Sequence, residues 1–301
     1  MTEDTPTPPD GRDPASKRAT PPPVLAEIVE HKRGEVEELK RRVSLPELEA
    51  AVAQAEPPRN FFRAVTRRDD SGQPAEGHHE TSIIAEIKRQ SPSAGLIRQE
   101  YAGDGFDPTV AARAYHEAGA AAISCLTDEK FFGGHLSFIE RVKGACPLPV
   151  LRKDFIVDPI QLWETRAAGA DAVLLIAECL NEREIVDSLI LAQQLQLTVL
   201  IEAHSTEHLL RVRPHVGFPH PTYCLLGINN RDLTTMTTDV NHTLRLVDLV
   251  DDPGVLVSES GIRTKADLDR LAEHGVRIAL VGEHLMRQDD PGAALRALLG
   301  E

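Results

Sequence analysis

The sequence predicts an α/β protein with the architecture of a (β/α)8 TIM barrel and an N-terminal helical extension. Eight short apolar runs lie between Ile83 and Val281. Their starts are separated by roughly 20 to 40 residues, which is the length of one βα unit. The runs are continuous rather than alternating, as expected for parallel strands buried on both faces. An open, doubly wound sheet is the structural alternative, but no GxGxxG fingerprint follows the first run.

The segment before the first run is predicted to be a tail followed by helices. Residues 1–23 are rich in Pro, Thr and Asp and carry almost no large apolar side chains, which predicts a disordered tail. Apolar residues near helical spacing then predict an amphipathic helix from Val24 to Val43. Shorter helices are expected over Leu45–Ala55 and from Phe61 toward Arg68, and a polar loop is expected over Asp69–Glu80.

The repeat follows this loop, and its strands and helices are both marked in the sequence. Aspartate followed by proline, at Asp107, Asp158 and Asp290, predicts three helix starts, because an N-cap aspartate and a proline at the first helical position both favour initiation. Thr264 with Asp267 predicts a fourth helix start. We assign residues 24–301, including N-terminal helices 24–68, to a single barrel domain. The predicted strands are Ile83–Ile87, Ala120–Leu126, Leu148–Leu151, Ala172–Ile176, Thr198–Ile201, Tyr223–Ile228, Val255–Val257 and Ile278–Val281.

Composition narrows the classes of function. The net charge of −14 argues against binding of nucleic acid or of an anionic membrane. No apolar run reaches the roughly 18–20 residues needed to cross a bilayer, and no signal peptide is recognised, so a cytoplasmic location is expected. The four cysteines show no metal-like spacing and are interpreted as reduced core thiols. No metal site is expected.

Basic residues nevertheless gather where the predicted strands end. Because the carboxyl ends of parallel strands open into one mouth, these residues predict a site for a small anionic ligand. They are Lys88, Arg89, Arg152, Lys153, Arg231 and Arg263.

Candidate acid and base residues lie at the same strand ends. Alternation sends Glu86 and Lys88 to one side of the first strand, either as a structural ion pair or as part of a site. Lys153 ends the third strand, and burial together with the like charge of Lys88 is expected to lower its pKa and fit it for proton transfer. Glu202 ends the fifth strand and is a candidate general base. His204 follows it, but a single loop histidine is more often unreactive.

Substrate-binding groups are expected on the last three strands. Asn229 offers a donor and an acceptor to substrate hydroxyls, and Arg231 is suited either to a carboxylate ligand or to pairing with Asp232 or Glu202. Ser260 and Gly261 after the seventh strand, with Gly282 after the eighth, allow a phosphate to approach backbone N–H groups, which is the usual phosphate site of such barrels.

Six segments of the chain carry a family resemblance. In chain order they are IIAEIKRQSPSAG, LTDEKFFGG, PVLRKDFIVDPIQLWETRAAGADAVLLI, LGINNRDL, VSESGI and LVGEHLMR. They closely resemble the indole-3-glycerol-phosphate synthase family of tryptophan biosynthesis. The resemblance covers about Val24 to Leu299 and implies the same barrel with helices before it. It implies closure of 1-(2-carboxyphenylamino)-1-deoxyribulose 5-phosphate to indole-3-glycerol phosphate, with loss of CO2 and water and with no cofactor or metal. An association with other tryptophan-pathway enzymes is a further expectation.

The resemblance also implies roles for individual residues. Lys153 resembles the general acid, Glu202 the general base, and Lys88 the lysine near the substrate carboxylate. Phe155 is expected to pack against the aromatic ring of the substrate. The residues that hold the substrate and the lysines are Glu86, Asn229 and Glu259, and those that resemble the phosphate-binding set are Ser91, Ser260, Gly261 and Gly282.

Two departures from the family pattern bear on the phosphate. Ala94 stands where a basic residue is common after Ser-Pro-Ser, and Glu283-His284 follows Gly282 where a small residue is frequent. Both are expected to weaken or reshape phosphate binding. A different phosphosugar barrel, such as a phosphoribosylanthranilate isomerase-like enzyme, and a non-catalytic scaffold are the alternative functions. The set Glu86, Lys88, Lys153 and Glu202 argues against both alternatives.

Overall fold

The structure, a computed structural model, describes residues 22–68 and 81–301. The predicted tail lies outside the described residues except for Pro22 and Pro23, where the first helix begins. The predicted loop at Asp69–Glu80 also lies entirely outside them. The assignment of 24–301 to one domain stays a prediction.

Eight parallel strands close into a barrel, which confirms the predicted (β/α)8 fold. Each strand pairs with the strands before and after it in the chain, and the first pairs with the last, as in Ser82 beside Ile278. Nearly every strand residue is buried, because helices cover the outside and side chains fill the inside. The strands are β1 (Ser82–Ile87), β2 (Ala122–Leu126), β3 (Val150–Lys153), β4 (Ala172–Ile176), β5 (Thr198–Ala203), β6 (Cys224–Asn229), β7 (Leu256–Glu259) and β8 (Ile278–Val281).

Helices precede and surround the barrel, and the predicted caps are present. The side chain of Asp107 accepts a hydrogen bond from the Thr109 backbone N–H at 2.9 Å, and Thr264 forms a capping box with Asp267. Gly119 follows one of these helices with φ +85°, a conformation that favours glycine. The helices are α1 (Pro23–Arg42), α2 (Leu45–Gln54), α3 (Phe61–Thr66), α4 (Pro108–Glu117), α5 (Phe138–Ala145), α6 (Ile160–Ala167), α7 (Glu182–Gln194), α8 (Thr206–Val212), α9 (Asn241–Leu246), α10 (Lys265–Glu273), α11 (Glu283–Met286) and α12 (Pro291–Leu299).

The N-terminal helices connect the two ends of the barrel. Phe61 and Phe62 of α3 are buried in the main core. The Arg59 backbone N–H, just before α3, donates to Asp171, which precedes β4, so this connection lies at the amino ends of the strands. Helix α1 lies at the opposite end, because Val24 in its first turn lines the central cavity and Lys32 and Lys40 contact Asp154 and Asp158 in the loop after β3. Helix α2 follows α1 and packs against α6.

Several strands extend further than their apolar runs. β3 was predicted over Leu148–Leu151 but runs to Lys153, and β5 continues through Glu202 to Ala203. The backbone hydrogen bonds between neighbouring strands continue at these polar residues. For example, the Thr127 N–H donates to the Lys153 carbonyl at 3.2 Å. A short hairpin, which the sequence did not predict, follows β1 and pairs Gln90 with Leu96.

The four cysteines are buried, in agreement with their interpretation as core thiols. Among residues 22–68 and 81–301, we find no helix with both the length and the apolar character needed to cross a membrane.

Candidate active site

A cavity of about 720 Å³ opens at the carboxyl ends of the strands. Helix α1 supplies part of its wall through Val24, Leu25 and Ile28, so the N-terminal extension belongs to the site as well as to the fold. All twelve candidate residues from the sequence line this one cavity: Glu86, Lys88, Ser91, Lys153, Phe155, Glu202, Asn229, Arg231, Glu259, Ser260, Gly261 and Gly282.

The centre of the cavity contains a lysine between two glutamates from other strands. Lys153 Nζ lies 2.7 Å from Glu202 Oε2 and 3.5 Å from Glu259 Oε2. The Lys153 side chain is 13% exposed, whereas those of Glu202 and Glu259 are 3% and 1% exposed. The barrel therefore brings β3, β5 and β7 together around one ammonium group.

The prediction that the pKa of Lys153 is lowered was wrong. Burial alone would lower it, but the negative charges of Glu202, Glu259 and Glu86 outweigh burial and raise the pKa of Lys153 well above its ordinary value. The prediction considered burial and the like charge of Lys88. In the fold, the side chains of Glu202, Glu259 and Glu86 surround Lys153 instead. Lys153 is therefore an ammonium group in the resting site.

Glu202 is held as a carboxylate by three donors. Burial acts to raise its pKa, but the charges of Lys153 and His204 prevail and lower the pKa of Glu202 to about 2. Asn229 Nδ2 donates to Glu202 Oε1 at 3.1 Å, and His204 Nε2 lies 3.2 Å from the same oxygen. Both carboxylate oxygens are thus engaged before any substrate binds.

Glu259 has the opposite electrostatic environment. Burial, followed by the charge of Glu202, raises the pKa of Glu259 well above its ordinary value. Neither of its carboxyl oxygens receives a hydrogen bond from the described residues. Two neighbouring glutamates therefore have pKa values shifted in opposite directions, a common arrangement in acid–base sites.

Glu86 and Lys88 form a second ion pair in the cavity. Lys88 Nζ lies 2.7 Å from Glu86 Oε1. Glu86 belongs to β1 and Lys88 directly follows the strand, and the two side chains lie on the same side, as strand alternation predicted. Gly282 lies against this pair, because a Cβ atom at residue 282 would lie 2.4 Å from Glu86 Oε1. Gly282 therefore leaves room for Glu86, in addition to the phosphate role expected of it.

Replacing Gly282 with alanine should therefore lower kcat/KM by about 10- to 100-fold, because a displacement of 1 Å in a catalytic group can cost that much. The backbone φ of −128° at residue 282 suits alanine, so the fold should survive. Steady-state kinetics with a thermal melt tests this. Gly144→Ala is the matched control, since a Cβ there meets nothing within 4 Å. Equal kinetics for the two variants would contradict the prediction.

Arg231 pairs with neither of the partners considered from the sequence. Its Nη2 lies 3.5 Å from Glu283 Oε2, and its Nη1 donates to the Met236 carbonyl at 3.3 Å. Glu283 also pairs with Arg287 at 2.8 Å. The residue that departs from the family pattern therefore neutralises part of the positive charge at this end of the cavity.

The Ser260–Gly261 turn beside Arg231 has an unusual backbone. Ser260 has φ +68° and Gly261 has φ +83°, and a Cβ on Gly261 would lie 2.6 Å from Thr238. Non-glycine residues with positive φ are uncommon and cluster at functional sites. Asn230 stabilises the turn, since its Nδ2 donates to the Ser260 carbonyl at 3.0 Å.

The sequence of this chain is similar to those of known proteins from one family. The family model described as indole-3-glycerol phosphate synthase matches residues 25–298. The indole-3-glycerol phosphate synthase of Rhodospirillum rubrum is 46% identical over 277 residues, covering 92% of this chain and 99% of that protein. This chain belongs to the indole-3-glycerol phosphate synthase family. Family members from Acidithiobacillus ferrooxidans, at 45% identity over 91% of this chain and 98% of theirs, and Rhodopirellula baltica, at 44% over 86% and 92%, are similar.

Solved structures support the fold alone. A 3-hexulose-6-phosphate synthase matches with a TM-score of 0.56 and 19% identity, over 72% of this chain and 98% of that one. The Salmonella typhimurium enzyme of that name gives a TM-score of 0.55 at 14% identity, over 72% and 96%. Both agree with a barrel architecture for this member of the indole-3-glycerol phosphate synthase family.

Arg152 was predicted to lie with the other basic residues at the carboxyl ends of the strands, but it does not line the cavity. It is buried, with Nη2 3.1 Å from Asp154 and Nη1 2.9 Å from Glu164 of α6. Strand alternation sends Lys153 into the cavity and Arg152 toward the helices. Asp154 in turn contacts Lys32 of α1 at 2.9 Å, a link between distant segments that no local pattern in the sequence indicates.

Three further residues of the site were undervalued or missed in the sequence. His204 was set aside as an unreactive loop residue, yet it contacts Glu202. Glu178 after β4 and Asn230 after β6 were given no role, although both are buried and polar. Their position directly after a strand was the available signal. In the described part of the chain, no group of three or more His, Cys, Asp or Glu residues could hold a metal ion.

Proposed function

We propose that this chain converts 1-(2-carboxyphenylamino)-1-deoxyribulose 5-phosphate to indole-3-glycerol phosphate, with release of CO2 and water. The observation that carries the proposal is the 2.7 Å contact between Lys153 and Glu202 inside a cavity that also holds Lys88 and a glycine-containing turn. The reaction needs a proton donor, a base and a cation for the substrate carboxylate in one enclosed space. The chain supplies each of them from a different strand.

Lys153 acts as the general acid. In the first step the carboxyl-bearing carbon of the aromatic ring attacks the ketone carbon of the sugar, and the ketone oxygen receives a proton. The raised pKa of Lys153 keeps it in the ammonium form that this step requires. Loss of CO2 then restores the aromatic ring. Lys153, which regains a proton from solvent after the first step, protonates the hydroxyl, and the hydroxyl leaves as water.

Glu202 acts as the general base. Departure of the hydroxyl must be balanced by removal of a proton from the carbon next to the former ketone, which creates the double bond of the indole. The lowered pKa of Glu202 keeps it ionised and able to accept this proton. Glu202 can then return the proton to Lys153, which lies 2.7 Å away.

The other candidate residues bind and orient the substrate. Lys88, paired with Glu86, lies near the substrate carboxylate, and Asn229 and Glu259 position Glu202 and Lys153. Phe155 packs on the aromatic ring together with Phe132, whose ring centre is 5.9 Å away. The set that binds the phosphate is Ser91, Arg231, Ser260, Gly261 and Gly282.

Binding the phosphate and the ring in one cavity holds the sugar in a single bent conformer, and such positioning supplies a large part of catalysis. We also propose that no cofactor takes part, that the chain is cytoplasmic, and that it associates with other tryptophan-pathway enzymes. Cell fractionation and co-purification from cells expressing the tagged full chain test the last two proposals.

The purified full chain should produce indole fluorescence from the open-chain phosphate substrate. Phosphoribosylanthranilate, offered in parallel, tests the isomerase-like alternative and should not be turned over. Turnover of phosphoribosylanthranilate alone, or calorimetry showing no binding of either compound, would refute the proposed function.

A further inference from the structure

His204 lies between two buried carboxylates that come from different strand ends. Its Nε2 is 3.2 Å from Glu202 Oε1, and its Nδ1 is 3.3 Å from Glu178 Oε2. The His204 backbone N–H donates to Glu178 Oε1 at 2.9 Å, which fixes the position of the residue. The His204 side chain is 9% exposed, so water cannot easily replace either contact.

This geometry restricts the protonation state of the ring. An ionised carboxylate only accepts hydrogen bonds, and a neutral imidazole has one N–H and one lone pair. A neutral His204 could therefore satisfy Glu202 or Glu178, but its other nitrogen would direct a lone pair at an oxygen about 3 Å away. Only the imidazolium form donates to both carboxylates.

We propose that His204 is a positioning residue for the general base, present as an imidazolium that holds Glu202 Oε1 while Lys153 holds Oε2. The proposal rests on the proposed function, because it assigns Glu202 as the base. It gives a role to a residue outside the acid, the base and the substrate-binding set. Glu178 completes the arrangement by fixing the far side of the ring.

The charged groups around His204 come from several elements. Glu202 belongs to β5, Glu178 follows β4, and Lys153 ends β3. Two further histidines are close: His208 of α8 lies 3.2 Å from Glu178 Oε1, and His242 of α9 contacts the His204 backbone carbonyl through Nε2 at 3.1 Å.

The balance of these groups favours the charged ring. Burial alone would lower the pKa of His204, and the charge of Lys153 acts in the same direction. The hydrogen bond to Glu178 and the negative charges of Glu202 and Glu178 outweigh both effects, so the pKa of His204 is raised.

The proposal predicts an alkaline limb in the pH profile of kcat, that is, a fall in kcat as the pH rises. Below the folded-state pKa of His204 both contacts are made, and as pH rises through that pKa one of them is lost. Glu202 then loses a donor, so kcat should fall in a one-proton step. This limb belongs to His204, because the pKa of Lys153 is raised well beyond it.

The variant His204→Gln tests the proposal, since a glutamine amide donates a hydrogen bond but does not titrate. We expect kcat to fall about 10- to 100-fold with little change in KM, and the alkaline limb to disappear. His116→Gln, a substitution of an exposed histidine on α4, is the matched control and should keep both the rate and the limb. An unchanged kcat and an unchanged limb in His204→Gln would overturn the proposal.

A second variant should shift the alkaline limb of kcat in a defined direction. Glu178→Gln removes one negative charge from His204, so its pKa should fall and the alkaline limb should move to lower pH. A purely structural role for Glu178 would reduce activity without moving the limb. A limb that does not move would therefore count against the proposal.

A third measurement does not depend on activity. Nitrogen-15 spectra of the substrate-free full chain, compared with those of His204→Gln, identify the His204 ring signals. Two protonated ring nitrogens at neutral pH are expected, and one bare nitrogen would overturn the proposal even if the enzyme is active. If the ring is doubly protonated but the chain does not turn over the substrate, the proposed function fails separately.

Discussion

Replacing Lys153 with alanine should lower kcat by about 100- to 10,000-fold, the range that general acid catalysis contributes. The variant lacks the proton donor, and it also leaves Glu202 without the cation that lies 2.7 Å from it. Glu202→Gln should cause a loss of similar size, because the amide keeps the shape of the side chain but cannot accept the proton. Both losses should appear in kcat more than in KM, since neither residue is assigned to phosphate binding.

The fluorescence assay under saturating substrate measures both variants. Lys265→Ala is the matched control, because Lys265 is a half-exposed lysine on α10 whose partner is a surface aspartate. Thermal melts establish that each variant is folded before its rate is interpreted. Wild-type rates in both Lys153→Ala and Glu202→Gln would show that the acid and base roles are assigned wrongly.

The strand-end residues of the site were predictable because the barrel repeats one simple relation. Where an apolar run ends, alternate side chains face the mouth, so Lys153 and Glu202 could be assigned to the same space although 49 residues separate them. The eight runs predicted the eight strands for the same reason. Charged residues at the last positions hid the true strand ends, since a pattern of apolar residues stops where the site begins.

The electrostatics of the site could not be predicted in the same way. The pKa of Lys153 depends on which charges surround it in space, and Glu259 lies 106 positions away in the chain (259 − 153) yet only 3.5 Å from its ammonium group. The contact between His204 and Glu178 and the pairing of Arg231 with Glu283 were missed for the same reason. Each depends on the rotation of side chains at neighbouring strand ends, which the order of residues does not specify.

A structural lysine on α1 carries the largest expected effect on stability. Lys32 Nζ lies 3.0 Å from Asp128 Oδ2, 2.9 Å from Asp154 Oδ1 and 2.6 Å from Glu35, and its side chain is 5% exposed. Burial alone would lower the pKa of Lys32, but the two aspartates raise it, so the residue is charged. It joins the N-terminal extension to the loops that follow β2 and β3.

Replacing Lys32 with methionine should lower the free energy of unfolding by about 3–5 kcal/mol, the usual cost of removing one partner from a buried ion pair. Asp154 would keep Arg152 at 3.1 Å, but Asp128 Oδ2 receives no hydrogen bond from the described residues and would lose its cation. Because Asp128 Oδ1 accepts from the Phe132 N–H at 3.2 Å, and Phe132 lines the cavity, KM should rise as well.

Lys40→Met is the control for this prediction, because it changes a lysine on the same helix in the same way. Lys40 is 40% exposed and pairs with Asp158 at 2.7 Å, so its loss should cost less than about 1 kcal/mol, as is usual for surface pairs. Urea unfolding followed by circular dichroism gives both values. Equal stabilities of the two variants would mean that α1 is attached through its apolar face alone. A selective loss in Lys32→Met would instead show that one buried ammonium group couples the extension to the loop that directly follows Lys153.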